Sequence, residues 1–110
     1  MKVVVNSRHM EPTDAIRRHV EEKAEKLSRY FDSIHTVEVV LDVEADKPFV
    51  EIIAKARRKT TFVASAREDD MIACIDHCIH RISEQIRRHK DKVRDRQGPP
   101  HSETMTPPEE

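Results

Sequence analysis

A repeat of apolar residues between positions 69 and 96 constrains the fold of this chain more than any other feature. Apolar side chains recur there three and four residues apart, at Met71, Ile75, Cys78, Ile79, Ile82, Ile86 and Val93. This spacing is typical of an amphipathic helix, whose apolar stripe must pack on another element. Either Asp69 or Asp70 can accept a free backbone N–H at the start of the helix.

A polar flank runs beside that stripe. At about 100° per residue, one line of side chains falls next to the apolar residues: Cys74, His77, Arg81, Gln85, Arg88 and Lys92. Between Arg81 and Arg96, seven basic residues stand against three acidic ones. Basic residues near a helix C-terminus also stabilise the helix dipole, so the pattern by itself leaves two explanations open.

A second amphipathic helix is predicted for Asp14–Tyr30, with Thr13 as its N-cap. Its apolar stripe consists of Ile16, Val20, Ala24, Leu27 and Phe31. A β-branched run at residues 2–6 precedes it and predicts a strand, and residues 7–12 form the connection.

Three further strands are predicted between the helices. Residues 36–44 alternate, with Val37, Val39, Leu41 and Val43 facing inward and Glu38, Asp42 and Glu44 outward. A turn at residues 45–48 and a loop at residues 57–60 separate this strand from strands at residues 50–56 and 61–66. The loop contains no Gly or Asn, so its turn type and the register of the hairpin stay open.

The order β-α-β-β-β-α predicts an α+β fold, a two-layer sandwich in which two helices cover one face of a four-stranded sheet. The first strand should be parallel to its neighbour and the later strands antiparallel. Residues 1–96 are expected to form one domain. Residues 97–110 hold four prolines and the only glycine, and we expect a disordered, Pro-rich acidic tail.

Charge and cysteine content limit the class of protein. Charged residues make up 37% of the chain, but the net charge is only −1, so any case for an anionic partner depends on how the charge is distributed. No signal-peptide pattern and no apolar run of membrane-spanning length is present, and the two cysteines are poorly placed for a disulfide. We therefore expect a cytoplasmic protein with no membrane partner.

Catalytic and metal sites are not predicted. A glycine-rich phosphate loop is excluded because the only glycine is Gly98, and no nucleophile–base set is recognisable. We expect no enzyme activity, no cofactor and no small-molecule substrate. Cys74, His77, Cys78 and His80 resemble zinc ligands in spacing, but a helix turns Cys78 towards the core and His80 about 160° away from it.

The basic residues are the strongest functional signal. Besides the basic flank of the second helix, Lys55, Arg57, Arg58 and Lys59 form a cluster at the predicted hairpin. Because the strand at residues 36–44 is acidic, the molecule should be electrostatically polarised. RNA or another polyphosphate is the favoured partner. The scarcity of aromatic residues indicates contacts with backbone and shape rather than with bases.

Several motifs resemble the ribosome hibernation-promoting factor and ribosome-associated inhibitor A family. The run DMIACID at residues 70–76, followed by Arg81-Ile82, Gln85-Ile86 and HKDK at residues 89–92, is similar to that family's second helix. The run MEPTDAIR at residues 10–17 and Tyr30-Phe31-Asp32 are similar to its first helix, and VASA at residues 63–66 is similar to the strand before the Asp-Met motif. Ile72 stands where the family has a tyrosine.

The resemblance implies a fold like that of double-stranded RNA-binding domains. It also implies binding to the small ribosomal subunit at the decoding region, where the protein blocks messenger RNA and transfer RNA sites and inhibits translation under stress or in stationary phase. The chain resembles the short form of the family and is expected to be a monomer off the ribosome.

The resemblance assigns RNA-binding positions residue by residue. The positions are Arg17, Lys23, Lys26, Arg81, Arg88, Lys90 and Lys92, with Arg29, Arg57, Arg58 and Lys59 as additional candidates. Two alternatives stay open. One is a general double-stranded RNA-binding module without ribosome specificity, and the other is a metal-binding or protein-interaction module that uses the cysteines and histidines.

Overall fold

The computed structural model describes residues 1–97, with side chains for residues 1–93. The elements follow the predicted order β-α-β-β-β-α: β1 (Lys2–Arg8), α1 (Asp14–Tyr30), β2 (Ile34–Glu44), β3 (Lys47–Ala56), β4 (Thr60–Arg67) and α2 (Met71–Gln97). Gln97, which was predicted to begin the tail, is instead the last residue of α2. Residues 98–110 lie outside the described residues, so their predicted disorder stays a prediction. No helix in the described part of the chain has the length and apolar character needed to cross a membrane.

The four strands form one sheet in the order β1-β2-β3-β4. β1 is parallel to β2, whereas the β2–β3 and β3–β4 pairs are antiparallel. One row of partners across the sheet runs through Val5, Val39, Ile52 and Ala64. The predicted topology is therefore confirmed.

Both helices pack on one face of the sheet and enclose the core. α2 lies on β3 and β4, and α1 contacts β1, β2 and α2. The largest completely buried side chains include Leu27 from α1 and Ile75, Ile82 and Ile86 from α2. Beneath α2, the two strands contribute buried alanines, and this small side chain lets a helix approach a sheet closely: Ala54, Ala56, Ala64 and Ala66.

Hydrogen bonds from capping side chains fix where the two helices begin. The Ile16 amide donates to Thr13 Oγ1 at 3.1 Å, and the Ala73 amide donates to Asp70 Oδ2 at 2.9 Å. Asp69 instead accepts a hydrogen bond from Lys47 Nζ at 2.6 Å. Of the two residues considered for the start of α2, Asp70 is therefore the cap.

The hairpin turns are shorter than predicted. Each has two central residues with positive φ: 52° and 64° at Ala45 and Asp46, and 62° and 59° at Arg58 and Lys59. These angles are typical of type I′ turns, whose twist matches that of the flanking strands. The predicted turn at residues 45–48 was therefore too long, because Lys47 and Pro48 already belong to β3, and Thr60 of the predicted loop begins β4.

Asp42 was predicted to face solvent and is instead buried. Only 2% of its surface is exposed, although its neighbours on the same face are partly accessible. His9 Nδ1 lies 2.9 Å from Asp42 Oδ1, and the Val43 amide donates to the same oxygen at 2.7 Å. The hydrogen bond with His9 is the largest of the influences that lower the pKa of Asp42. The prediction failed because β1 continues two residues further than expected and brings His9 beside Asp42.

Two assignments on α2 were also wrong. Cys74 was predicted on the polar flank, but it is completely buried and belongs to the core. Val93 was predicted in the apolar stripe, but it is 36% exposed and lies outside the core. Between these two residues the stripe is confirmed, with Cys78 in the core as predicted.

Replacing the cap of α2 tests how this helix begins. Asp70→Ala removes the acceptor of the Ala73 amide, so we expect the free energy of unfolding to fall by about 1 kcal/mol, as is usual for N-cap aspartates. Asp69→Ala is the matched control, because it removes an exposed ion pair and leaves the cap in place. Urea denaturation monitored by circular dichroism measures both. A larger loss for Asp69→Ala than for Asp70→Ala would contradict the assignment.

Candidate RNA-binding surface

The two helices run parallel to each other across the sheet. His19 Nε2 lies 2.7 Å from Asp76 Oδ1 near their N-terminal halves, and Lys90 Nζ donates to the Tyr30 carbonyl at 3.1 Å near their C-terminal ends. Phe31 at the end of α1 also meets Phe62 and His89, with ring centroids 5.6–6.0 Å apart. Both helices therefore direct their C-terminal ends towards the β3–β4 turn.

A groove of about 210 Å³ separates the helices on the surface. Lys23, Lys26 and Tyr30 line its α1 side, and Ile79 and Ser83 line its α2 side. The Lys90 ammonium lies at the Tyr30 end of the groove, 4.3 Å from the centre of the Tyr30 ring. Three of the predicted RNA-binding lysines are thereby brought together around one groove.

The lysines of the groove differ in how they are held. Lys23 Nζ lies 3.7 Å from Asp76 Oδ1, and its side chain is mostly covered. Lys90 is fixed by the Tyr30 carbonyl and ring. Lys26 is exposed, and no ion pair within 4 Å is found for it in the described part of the chain. Lys26 is therefore the lysine most available to a new anion.

The other flank of α2 lies along the free edge of β4. Arg81 Nη1 donates to the Ser65 carbonyl at 3.0 Å, and Gln85 Nε2 donates to the Val63 carbonyl at 2.7 Å. These bonds occupy backbone acceptors that an edge strand otherwise offers to another chain. Arg81 therefore has a structural role besides the predicted contact with RNA.

A short chain of side chains orients Arg81. Arg81 Nε donates to His77 Nε2 at 3.3 Å, and His77 Nδ1 is hydrogen-bonded to Glu68 Oε2. Since Nε2 accepts, the neutral ring carries its proton on Nδ1, a tautomer assigned from the network. His77 therefore accepts a hydrogen bond from Arg81 and helps to hold the Arg81 guanidinium in place.

Arg88 and Lys92 follow Arg81 on the same flank and are both exposed. Neither makes an ion pair with another described side chain. α2 approaches the start of β4 here, because His89 contacts Phe62, the third residue of that strand. The two cations therefore lie towards the end of the molecule that holds the β3–β4 turn.

The basic turn between β3 and β4 consists of Arg57, Arg58 and Lys59, all of them exposed. The Thr60 amide closes it by donating to the Arg57 carbonyl at 3.3 Å. Lys55, predicted in the same cluster, instead donates to Glu38 Oε2 at 3.0 Å. A left-handed conformation is unfavourable for Arg and Lys, so the backbone is strained at Arg58 and Lys59, where the turn exposes these cations.

The predicted RNA-binding residues thus fall into three neighbouring groups: the groove (Lys23, Lys26, Lys90), the β4 flank of α2 (Arg81, Arg88, Lys92) and the basic turn (Arg57, Arg58, Lys59). Arg29 lies in the last turn of α1, with a long contact of 4.0 Å to Glu25. Arg17 lies in the first half of α1, away from the basic turn.

Two residues of the groove were missed by the sequence reasoning. Tyr30 is 40% exposed and Ser83 is partly exposed, and both line the groove. The spacing of residues 23, 26 and 30 along one helix face was a signal that could have identified Tyr30.

Both cysteines are buried beside backbone carbonyls of β4. Cys78 Sγ lies 3.3 Å from the Ala64 carbonyl and Cys74 Sγ lies 3.0 Å from the Ala66 carbonyl. Burial raises the pKa of both thiols, and that of Cys78 to about 12, so neither is a thiolate at neutral pH. No group of three or more His, Cys, Asp or Glu able to hold a metal ion occurs among the described residues.

A family model described as "Sigma 54 modulation protein / S30EA ribosomal protein" matches residues 3–94. The chain belongs to this family. The family predicted from the sequence motifs is therefore confirmed, because its curated relatives carry the name ribosome hibernation promoting factor.

Two such relatives cover most of the chain. The ribosome hibernation promoting factor of Azotobacter vinelandii is 36% identical over 97 residues, which are 88% of this chain and 90% of the relative. The protein of the same name from Escherichia coli K12 is 35% identical over 100 residues, covering 86% of this chain and 98% of the relative.

Solved structures agree with the fold. A ribosomal subunit interface protein from Coxiella burnetii superposes with a TM-score of 0.77 at 22% identity, covering 83% of this chain and 99% of that one. The N-terminal domain of Thermus thermophilus Protein Y gives a TM-score of 0.68 at 31% identity, covering 80% of this chain and 94% of that one. The predicted α+β architecture is therefore confirmed, and it is also found in these solved structures.

The basic turn allows stability and RNA binding to be separated. Arg58→Asn with Lys59→Gly gives the sequence that type I′ turns prefer, so we expect the free energy of unfolding to rise by about 1 kcal/mol or more. The same change removes two cations, so affinity for structured RNA should fall. Urea denaturation and filter binding measure the two effects.

The other hairpin provides the matched control. Ala45→Asn with Asp46→Gly relieves the backbone strain of the same kind of turn. This turn lies at the opposite end of β3, and the substitutions remove no cation. We expect it to stabilise the protein without lowering RNA affinity. Equal losses of affinity in both variants would show that the basic turn has no direct role.

Proposed function

We propose that this protein is a ribosome hibernation factor that binds the small ribosomal subunit at the decoding region. It occupies the path of messenger RNA and transfer RNA there and stops translation under stress or in stationary phase. It works in the cytoplasm, where ribosomes are found, and is a monomer when free. The names of its relatives, ribosome hibernation promoting factor and ribosomal subunit interface protein, support this proposal.

The observation that carries the proposal is the grouping of cations along the helices and at one end of the molecule. Lys26 lies beside the groove between the parallel helices, and Arg88 and Lys92 are exposed on α2. The basic turn lies at the end of the molecule towards which both helices direct their C-termini. Phosphate groups of folded RNA lie at irregular spacings on a three-dimensional surface. Exposed cations held on rigid elements suit such a target, because little of their scaffold has to be ordered on binding.

The same surface favours recognition of RNA shape. Tyr30 is the exposed aromatic residue of the groove, and Lys90 already lies against its ring. Contacts are therefore expected with phosphate and sugar rather than with stacked bases. Specificity for the ribosome then arises from the arrangement of several phosphate sites that only the folded subunit offers.

The fold also supports a second candidate, a general double-stranded RNA-binding module. This candidate rests on the resemblance of the two-helix sandwich to double-stranded RNA-binding domains. A duplex offers regular phosphates, whereas the small subunit offers a shaped site. Affinity for small subunits that exceeds affinity for a 20-base-pair RNA duplex by about a hundredfold or more at the same salt supports the ribosomal function. Comparable affinities would favour the general module.

Charge reversal of the exposed cations tests the proposed contact surface. Lys26→Glu, Arg88→Glu and Lys92→Glu together should abolish co-sedimentation with small subunits while the circular dichroism spectrum stays unchanged. Arg81 is left intact, because its substitution would also remove the hydrogen bond to Ser65, and a loss of binding could then result from a loss of structure.

A matched variant carries the same change in net charge elsewhere. Lys2→Glu, Arg8→Glu and Arg18→Glu reverse three exposed cations on β1 and on the other flank of α1. Small-subunit binding should be retained in this variant. Loss of binding in both variants alike would mean that overall charge, and not the proposed surface, controls association.

The salt dependence of binding counts the phosphate contacts. The logarithm of the binding constant should fall linearly with the logarithm of salt concentration, and Arg88→Gln with Lys92→Gln should reduce the slope by about 2. An unchanged slope would exclude these two residues from contact with phosphate.

A further inference from the structure

We propose that the free edge of β1 docks an extended, basic segment of another protein as a fifth strand. The site is a groove of about 410 Å³ between β1 and α1, lined by Met1, Val3, Arg18, Glu21, Glu22 and Glu25. It lies on the flank of α1 that faces away from α2, so it is separate from the proposed RNA-binding surface.

The two edges of the sheet differ in how they are protected. At β4, Arg81 and Gln85 bond to the Ser65 and Val63 carbonyls and occupy the edge. At β1, the other edge, no described side chain is hydrogen-bonded to the backbone of the strand. An edge strand of seven residues with free backbone groups is a template for strand addition.

The charge of the groove selects a cationic partner. Three of its six lining residues are glutamates, against two cations, the guanidinium of Arg18 and the N-terminal ammonium of Met1. Glu21 and Glu22 make no ion pair within 4 Å among the described residues, and Glu25 has only the 4.0 Å contact with Arg29. These glutamate carboxylates would attract lysine or arginine side chains of a polypeptide.

The spacing of the glutamates fits an added strand. Glu21 and Glu25 are four residues apart on α1, a rise of about 6 Å along the helix. Alternate residues of a strand lie on the same face and are about 6.7 Å apart. A strand paired with β1 would direct every second side chain towards the helix layer, so basic residues at alternate positions would meet successive carboxylates.

The apolar part of the groove adds a second requirement. Val3 and Val5 lie on the helix side of β1 and are only partly buried, although both pack against the core. Pairing a further strand with β1 would cover their exposed surface. The favoured occupant is therefore an extended protein segment with alternating basic residues, rather than a compact or acidic partner.

A titration followed by amide chemical shifts tests the proposal. The probe is a seven-residue peptide in which lysine alternates with valine, added to ¹⁵N-labelled full-length protein. We expect the largest shifts at the amides of residues 3–7. Glu21→Gln, Glu22→Gln and Glu25→Gln together should weaken binding about fivefold or more. Glu11→Gln, Asp32→Asn and Asp46→Asn, which remove three exposed carboxylates elsewhere, should not.

Two altered peptides separate strand pairing from simple attraction of charge. A peptide methylated on alternate backbone nitrogens keeps its lysines but cannot pair, and a peptide with glutamate in place of lysine can pair but is repelled. Neither should shift the β1 amides. Equal binding of either peptide, or shifts that avoid residues 3–7, would overturn the proposal. Shifts of the same amides with protein concentration alone would show instead that a second copy of the chain occupies the edge.

Discussion

The packing of α2 against β3 and β4 is the contact on which the rest of the molecule depends. Ile75, Ile82 and Ile86 are completely buried there, and the thiols of Cys74 and Cys78 lie against strand carbonyls. The strands beneath them contribute buried alanines to the same contact. Such close packing fixes the rotation of α2 about its axis. One flank must then follow the edge of β4, and the other must face α1, so the positions of Arg81 and Lys90 follow from the core.

The two flanks of α1 carry different charged side chains. Lys23, Lys26 and Tyr30 lie on the side that faces α2, whereas three glutamates lie on the side that faces β1. A net charge of −1 conceals this division. If the proposed function holds, the lysine flank would face RNA, and the glutamate flank would stay available to a second partner.

Local periodicity was enough to predict the element order, the Thr13 cap and most of the core stripes, because each is a short-range consequence of the sequence. The strand pairing followed from the connections, since a helical crossover makes strands parallel and a hairpin makes them antiparallel. Asp42 could not be assigned from the alternation of β2, since its burial depends on His9, 33 residues away. Cys74 lies at the border of the apolar stripe, where a helical projection cannot decide between core and flank. The type I′ turns were missed because Arg58 and Lys59 are not residues that usually mark them.

For the candidate site, the basic residues could be named from sequence, but their environments could not. The hydrogen bond of Arg81 to Ser65 and the position of Lys90 on Tyr30 depend on which elements lie side by side. These contacts distinguish cations that hold the fold from Lys26, Arg88 and Lys92, which stay available to an outside anion. That distinction underlies our proposal that the helices and the basic turn contact ribosomal RNA and that the opposite face of the sheet does not.

Cryo-electron microscopy of the protein bound to the small ribosomal subunit is the most direct test of this claim. We expect phosphate groups within salt-bridge distance of Lys26, Arg88 or Lys92, with the helix layer and the basic turn against ribosomal RNA. A complex in which the open face of the sheet lies on the RNA, with both helices exposed to solvent, would contradict it.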